Sequence, residues 1–368
     1  MIIKSTLQLL AAVALSGIIQ APPGQARKNH DGQWHISSLR VEAAQQITQG
    51  DGVIVAVPDS GVSPHPDLQG SVLPGADVIT GAGNGYADKD GHGTGMAGLI
   101  AAHGSGAEGA LGIAPKAKIL PILCSPAGQD GETDALAAAI EFAVNNRANV
   151  ISISIVSGAS ARLQRAIEMA LAADILVVAA AGNAPRSDIV GYPARHPGVV
   201  AVGGIDRDGS HAAFSVTGSE IDVVAPAVDI YSTSIDGKYR RGTGTSDATA
   251  IVAGAAALIR SKYPYLPAQE VAHRLTATAV DKGPPGRDDE YGYGVIDLVA
   301  ALTADVPPLG FESVSAPATT ADARPDDDAG STVRGLATLG VIVAVGVGWA
   351  FVARRRRRGD DPPPRISR

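Results

Sequence analysis

The chain has 368 residues, a net charge of −7, 45% hydrophobic residues and a single cysteine. That apolar content excludes a wholly disordered chain. One cysteine excludes an intramolecular disulfide and a thiolate zinc cage, and the acidic balance argues against nucleic acid as a partner.

At the start, Lys4 precedes an apolar run over 9–19. Eleven residues are too few to span a bilayer, which needs about 20. A basic start, a short apolar core and small residues before position 27 read as a signal peptide over 1–26, cleaved after Ala26. A short N-terminal extension follows over 27–50.

The body, 51–302, alternates two patterns. Short β-branched runs fall at 53–57, 119–123, 150–156, 175–180 and 199–203. Helical periodicity appears over 132–146, with Leu136, Ile140, Ala143 and Val144 on a spacing near 3.6, and over 162–173, with Leu163, Ile167 and Leu171. Alternating strands and helices predict an α/β fold: a mainly parallel sheet between helical layers. In such sheets ligands bind at the C-terminal ends of the strands.

Beyond the body, 303–334 is rich in Pro, Ala, Thr and Asp, lacks an amphipathic period and is expected to form a disordered stalk. Residues 335–353 carry no charge and predict one C-terminal transmembrane helix. Five arginines, 354–358, open a basic tail over 354–368. Positive residues stay cytoplasmic, so the expected topology is single-pass in the cell membrane, with the body extracytoplasmic and the tail inside.

Four polar residues stand where chemistry is expected. Asp59 ends the first apolar run and precedes Ser60-Gly61. His92 is flanked by Gly91 and Gly93. Asn183 follows the run ending at Ala181-Gly182. Ser246 follows Gly244-Thr245 and opens an Ala-rich helical stretch. Singly, each has an ordinary structural reading: a turn cap for Asp59, a satisfied histidine for His92, a turn pair for Gly182-Asn183, an N-cap for Ser246. Together, in this order, they point to nucleophilic acyl transfer. There is no Gly-x-Ser-x-Gly elbow, no His-Glu-x-x-His metal motif and no phosphate-binding glycine fingerprint. No metal-ligand set and no cofactor is expected.

Asp59-Ser60-Gly61, His92-Gly93-Thr94, Ala181-Gly182-Asn183 and Gly244-Thr245-Ser246 make the chain resemble the subtilisin-like serine proteases, the subtilases. His65-Pro66-Asp67-Leu68, Tyr192-Pro193-Ala194, the segment Asp222 to Pro226 and Tyr291-Gly292-Tyr293-Gly294 add to the likeness, which covers about 34–302. The resemblance implies a subtilisin-like three-layer fold. It implies Ser246 as nucleophile, His92 as general base and acid, Asp59 as the residue orienting His92, and Asn183 as an oxyanion-hole donor. It makes Ser154, Ile155 and Val156 the strand that pairs with a protein or peptide substrate, with Val156 replacing a glycine at the pocket mouth and favouring small P1 residues.

Within the family the layout looks like the mycosins, membrane-anchored proteases of type VII secretion systems, which implies such a complex as a partner. Three features depart from the pattern. Cys124 is alone where mycosins carry disulfides, Asp247 follows the serine where an apolar residue is usual, and Ala250 replaces a proline. A carboxylate at 247 either crowds the oxyanion site or faces away toward the helix N-terminus. The main reading is a membrane-tethered extracytoplasmic serine endopeptidase. The alternative is a catalytically weak subtilase acting as a scaffold or binding component of a secretion complex.

Overall fold

The structure is a computed structural model and describes residues 32–106, 108–125 and 132–310. The expected signal peptide, stalk, transmembrane helix and basic tail lie outside the described residues. Among those described, no helix is long and apolar enough to cross a membrane.

Two short helices, α1 (Trp34–Ser38) and α2 (Val41–Ile47), lead into β1 (Ile54–Asp59). The chain continues through β2 (Ala76–Asp77), α3 (His92–Ala101), β3 (Lys118–Leu123), α4 (Thr133–Asn145), β4 (Val150–Ile153), α5 (Ala161–Ala172), β5 (Leu176–Ala180), β6 (Val200–Ile205) and β7 (Val223–Pro226). A hairpin of β8 (Ile230–Thr233) and β9 (Tyr239–Gly242) precedes the long α6 (Thr245–Lys262), and α7 (Ala268–Ala277) and α8 (Leu298–Thr303) close the body.

The main sheet has the order β2-β3-β1-β4-β5-β6-β7, and every neighbouring pair is parallel. Side chains alternate along each strand, so each strand feeds two cores. Val55 and Val57 of β1, Leu176 and Val178 of β5, and Val200 and Val202 of β6 join one core with α1, α2, α3, α6, α7 and α8. Ala56, Ile151, Ile153, Val177, Ala179 and Ala201 face the other core with α4 and α5. Both faces are covered, which is why the strands read as unbroken apolar runs rather than as alternating ones.

α4 and α5 begin and end within a residue or so of the expected periodic stretches. The run over 150–156 forms regular strand only to Ile153; residues 154–156 continue past the sheet edge, at the end where the cleft opens. Within the N-terminal extension, His35 lies inside α1 and is fully buried. Trp34, Ile36, Leu39, Val41 and Ala44 of α1 and α2 are buried in the first core. The Trp34 indole N–H donates to the Val228 carbonyl at 2.9 Å, tying this segment to the loop before β8.

β1 is the central strand of the sequence of crossovers. Its following helix, α3, lies on one face and leads to β3, whereas β3 is followed by α4 on the opposite face and then by β4 on the other side of β1. The chain thus diverges at the C-terminal end of β1, which leaves a crevice there.

Candidate active site

Asp59, His92, Asn183, Ser246 and residues 154–156 line one cleft of about 720 Å³ at the C-terminal ends of the strands. Each arrives on a different element. Asp59 is the last residue of β1, Asn183 follows β5, and Ser154 follows β4. His92 and Ser246 stand in the first turns of α3 and α6.

Asp59 is buried, and its Oδ1 lies 2.8 Å from His92 Nδ1 and accepts the Ser60 N–H at 2.7 Å. Holding Nδ1–H on a carboxylate leaves Nε2 as the ring nitrogen free to take a proton. Burial works against charge on the imidazole. The Asp59 carboxylate outweighs it by charge and hydrogen bond, and the ring is pushed up to about 9.

The backbone before α3 is held by a second carboxylate. Asp88 accepts the Gly91 N–H at 3.0 Å, the Thr94 N–H at 2.9 Å and the Thr94 hydroxyl at 2.5 Å. Asp90 Oδ1 accepts the His92 N–H at 2.7 Å. Next to His92, Gly93 packs so closely on β1 that a Cβ there would lie 2.1 Å from the Gly61 carbonyl oxygen. That close approach lets the first turn of α3 rest against the end of β1, and so brings His92 onto Asp59.

Ser246 and Ser154 lock α6 to the segment after β4. The Ser246 hydroxyl donates to the Ser154 carbonyl at 3.1 Å, and the Ser154 hydroxyl donates to the Ser246 carbonyl at 3.1 Å. The N-cap position of α6 belongs to Gly244, so the N-cap reading of Ser246 is removed. Asn183 Oδ1 accepts the Thr245 N–H at 2.9 Å and the Thr245 hydroxyl at 3.2 Å. With the oxygen held in this way, the amide N–H2 is the end left to donate, next to the helix N-terminus that carries Ser246. The turn reading of Asn183 therefore misses its long-range anchor on α6.

Val156 reaches across the cleft wall. Its Cγ1 lies 2.5 Å from where a Cβ of Gly191 would stand, and its Cγ2 lies 3.7 Å from the corresponding point at Gly182. Asp247 is turned into the protein instead of lining the cleft, with its carboxylate against Gly242. Burial, only partly offset by the charges of Arg240 and His92, pushes its carboxyl up to about 6. Ala250 is fully buried within the uninterrupted α6, and Cys124 is a buried thiol directly after β3.

Three residues that sequence reasoning missed support this arrangement. Asp88 had a local signal, the Asp-x-Asp-Gly turn before His92. Thr245 had none beyond its place beside Ser246. Arg240 lies four residues before Gly244-Thr245-Ser246, and nothing in the local sequence singles it out from Arg241.

A family model described as the subtilase family matches residues 50–294. The chain belongs to the subtilase family. Thermostable alkaline protease from Halalkalibacterium halodurans is 39% identical over 265 residues, 72% of this chain and 71% of that protein. Subtilisin DY from Bacillus licheniformis is 40% identical over 272 residues, 72% of this chain and 96% of the relative. Among solved structures, MycP1 from the ESX-1 type VII secretion system superposes with a TM-score of 0.68 at 31% identity, over 74% of this chain and 86% of that one. This subtilase is thus a subtilisin-like serine peptidase by family, with mycosins among its structural neighbours.

Proposed function

We propose that this subtilase hydrolyses peptide bonds as a serine endopeptidase through Asp59, His92 and Ser246. The observation that carries the reading is the 2.8 Å contact of Asp59 with His92 in the same cleft as a serine on a helix N-terminus. Rotation of Ser246 about χ1 takes its hydroxyl off the Ser154 carbonyl and toward His92 Nε2. Ser246 Oγ then attacks the substrate carbonyl carbon as its proton passes to Nε2. The negative oxygen of the tetrahedral intermediate is held by the Asn183 amide N–H and the Ser246 backbone N–H. Collapse breaks the C–N bond, and His92 gives its proton to the departing amine. Water, deprotonated in turn by His92, releases the acyl group from Ser246 and restores the hydroxyl.

The substrate lies extended along residues 154–156. Val156 narrows the pocket mouth, so small side chains are preferred before the cut bond. The protein acts outside the cytoplasm, delivered by the signal peptide over 1–26 and tethered by the apolar stretch over 335–353, with the Arg-rich tail inside. Likeness to MycP1 supports a place beside a type VII secretion complex.

The competing reading, a catalytically weak scaffold, draws on Asp247 and Ala250. The inward turn of Asp247 weakens that case, because its carboxylate does not occupy the cleft. Hydrolysis of a quenched-fluorescent peptide library by purified protein tests the choice. Turnover is expected for the native chain and a loss of at least about 10⁴-fold for Ser246→Ala; equal rates for the two would reject the proposed role of Ser246.

A further inference from the structure

The helix that carries His92 opens without a side chain of its own to cap it. The N-cap of α3 is Gly91, in the left-handed region at φ +84°. The first backbone N–H groups of a helix have no partner within it and need one from outside. Three side chains supply it here. The His92 N–H donates to Asp90 Oδ1 at 2.7 Å, the Gly93 N–H to Ser60 Oγ at 3.0 Å and the Thr94 N–H to Asp88 Oδ2 at 2.9 Å.

Asp88 is the centre of this cap, and it is only 8% exposed. Its Oδ1 accepts the Asp90 N–H at 3.1 Å, the Gly91 N–H at 3.0 Å and the Ser60 hydroxyl at 2.9 Å. Its Oδ2 takes the Thr94 hydroxyl at 2.5 Å besides the Thr94 N–H. The Thr94 oxygen in turn accepts the Ser63 N–H at 2.9 Å, and the Ser63 hydroxyl donates to the Asp88 carbonyl at 3.2 Å.

These partners come from two elements. Gly91 and Thr94 form the start of α3, whereas Ser60 and Ser63 follow directly on β1. Ser60 is the neighbour of Asp59, and its N–H donates to Asp59 Oδ1. Asp88 is therefore bonded both to the strand end that carries Asp59 and to the helix turn that carries His92.

We propose that Asp88 is the positioning residue of the Asp59–His92 pair, holding the end of β1 and the first turn of α3 at the spacing that keeps His92 Nδ1 on the Asp59 carboxylate. Asp88 does not line the cleft. It acts through the pair, and the inference rests on the reading of that pair as the proton-handling part of the site.

Asp88→Ala in the whole protein tests it by kinetics and by NMR. A misplacement of about 1 Å costs about 10²-fold, so kcat is expected to fall by about that factor with KM little changed. In an Asp59→Ala background the pair is already broken, and the same substitution is expected to cost no more than about twofold. The NMR signal of the proton that His92 Nδ1 donates to Asp59 is expected in the native protein and lost in Asp88→Ala.

If Asp88→Ala fails to fold, Thr94→Val and Thr94→Ser carry the test. Thr94→Val deletes one charge-assisted bond to Asp88 and is expected to lower kcat about tenfold; Thr94→Ser keeps the hydroxyl and is expected to recover most of that loss. An unchanged kcat in Asp88→Ala with the Nδ1 proton signal intact overturns the proposal. So does a loss carried by KM, an equal fold-loss in the Asp59→Ala background, or equal rates for the two Thr94 variants. A native chain that hydrolyses no peptide, with the proton signal present and then lost in Asp88→Ala, overturns the protease reading and leaves Asp88 as the residue that positions the pair.

Discussion

At the residue scale the account turns on one imidazole. His92 is held on Asp59 by a 2.8 Å contact and pushed up to about 9. A general base must be neutral in the free enzyme, so kcat/KM is expected to climb about tenfold per pH unit through the neutral range and to level off above about 9. Asp59→Asn removes the anion that holds the proton. Its acid limb is expected to move to lower pH, while its plateau falls by up to about 10⁴-fold because the ring loses its tautomer. A pH–rate profile for the two proteins reads both effects, and an acid limb left in place by Asp59→Asn would contradict them. Val156 governs a different property. Its methyl groups fill the space beside Gly191 and Gly182, so Val156→Gly is expected to raise kcat/KM for large aromatic P1 residues relative to alanine. One or two methylene-sized changes in such a pocket are worth about 10–200-fold in discrimination. A peptide-library profile already led by aromatics in the native protein would remove the basis of that expectation.

At the element scale, α6 is the organising piece. Its first turn carries Thr245, Ser246 and Asp247, which respectively anchor Asn183, face the cleft and turn inward against Gly242. Its apolar body, including Ala248, Ile251, Val252 and Ala255, is buried in the first core and fixes that turn against the sheet. Because the Asn183 amide is oriented by Thr245 before substrate arrives, its contribution is expected in the transition state more than in ground-state binding. Asn183→Ala should lower kcat by about 10²–10³-fold with little change in KM. A loss carried mainly by KM would assign Asn183 to substrate binding instead. α3 plays the matching role for His92. Its hydroxyl and glycine contacts, with Ser232 Oγ on the Gly95 carbonyl and Thr233 Oγ1 on the Thr94 carbonyl, tie the helix to β8.

At the scale of the whole molecule, the parallel sheet and its two helical layers were legible because unbroken β-branched runs alternate with 3.6-residue periodicity, as at α4 and α5. Asp59, His92, Asn183 and Ser246 were legible as candidates because glycine and apolar runs frame each of them. Other parts left weaker traces. α1 and α2 have five and seven residues, too short to display a helical period, so the burial of Trp34 and Ile36 emerges only on packing. Strand β7 has four residues and the hairpin strands β8 and β9 four each, and they carry little period-two signal. The orientation of Asp247 was undecidable from its neighbours in the chain. It depends on how the chain turns from β9 into α6, which sets the carboxylate against Gly242, five residues earlier.

The central claim is that Ser246 is a nucleophile activated by His92. Intact-protein mass spectrometry after exposure to a fluorophosphonate tests it most directly. The native chain is expected to gain a single adduct that peptide mapping assigns to Ser246, with Ser246→Ala unlabelled and His92→Ala labelled far more slowly. A folded native chain that takes up no reagent, or equal labelling of Ser246→Ala, would contradict it.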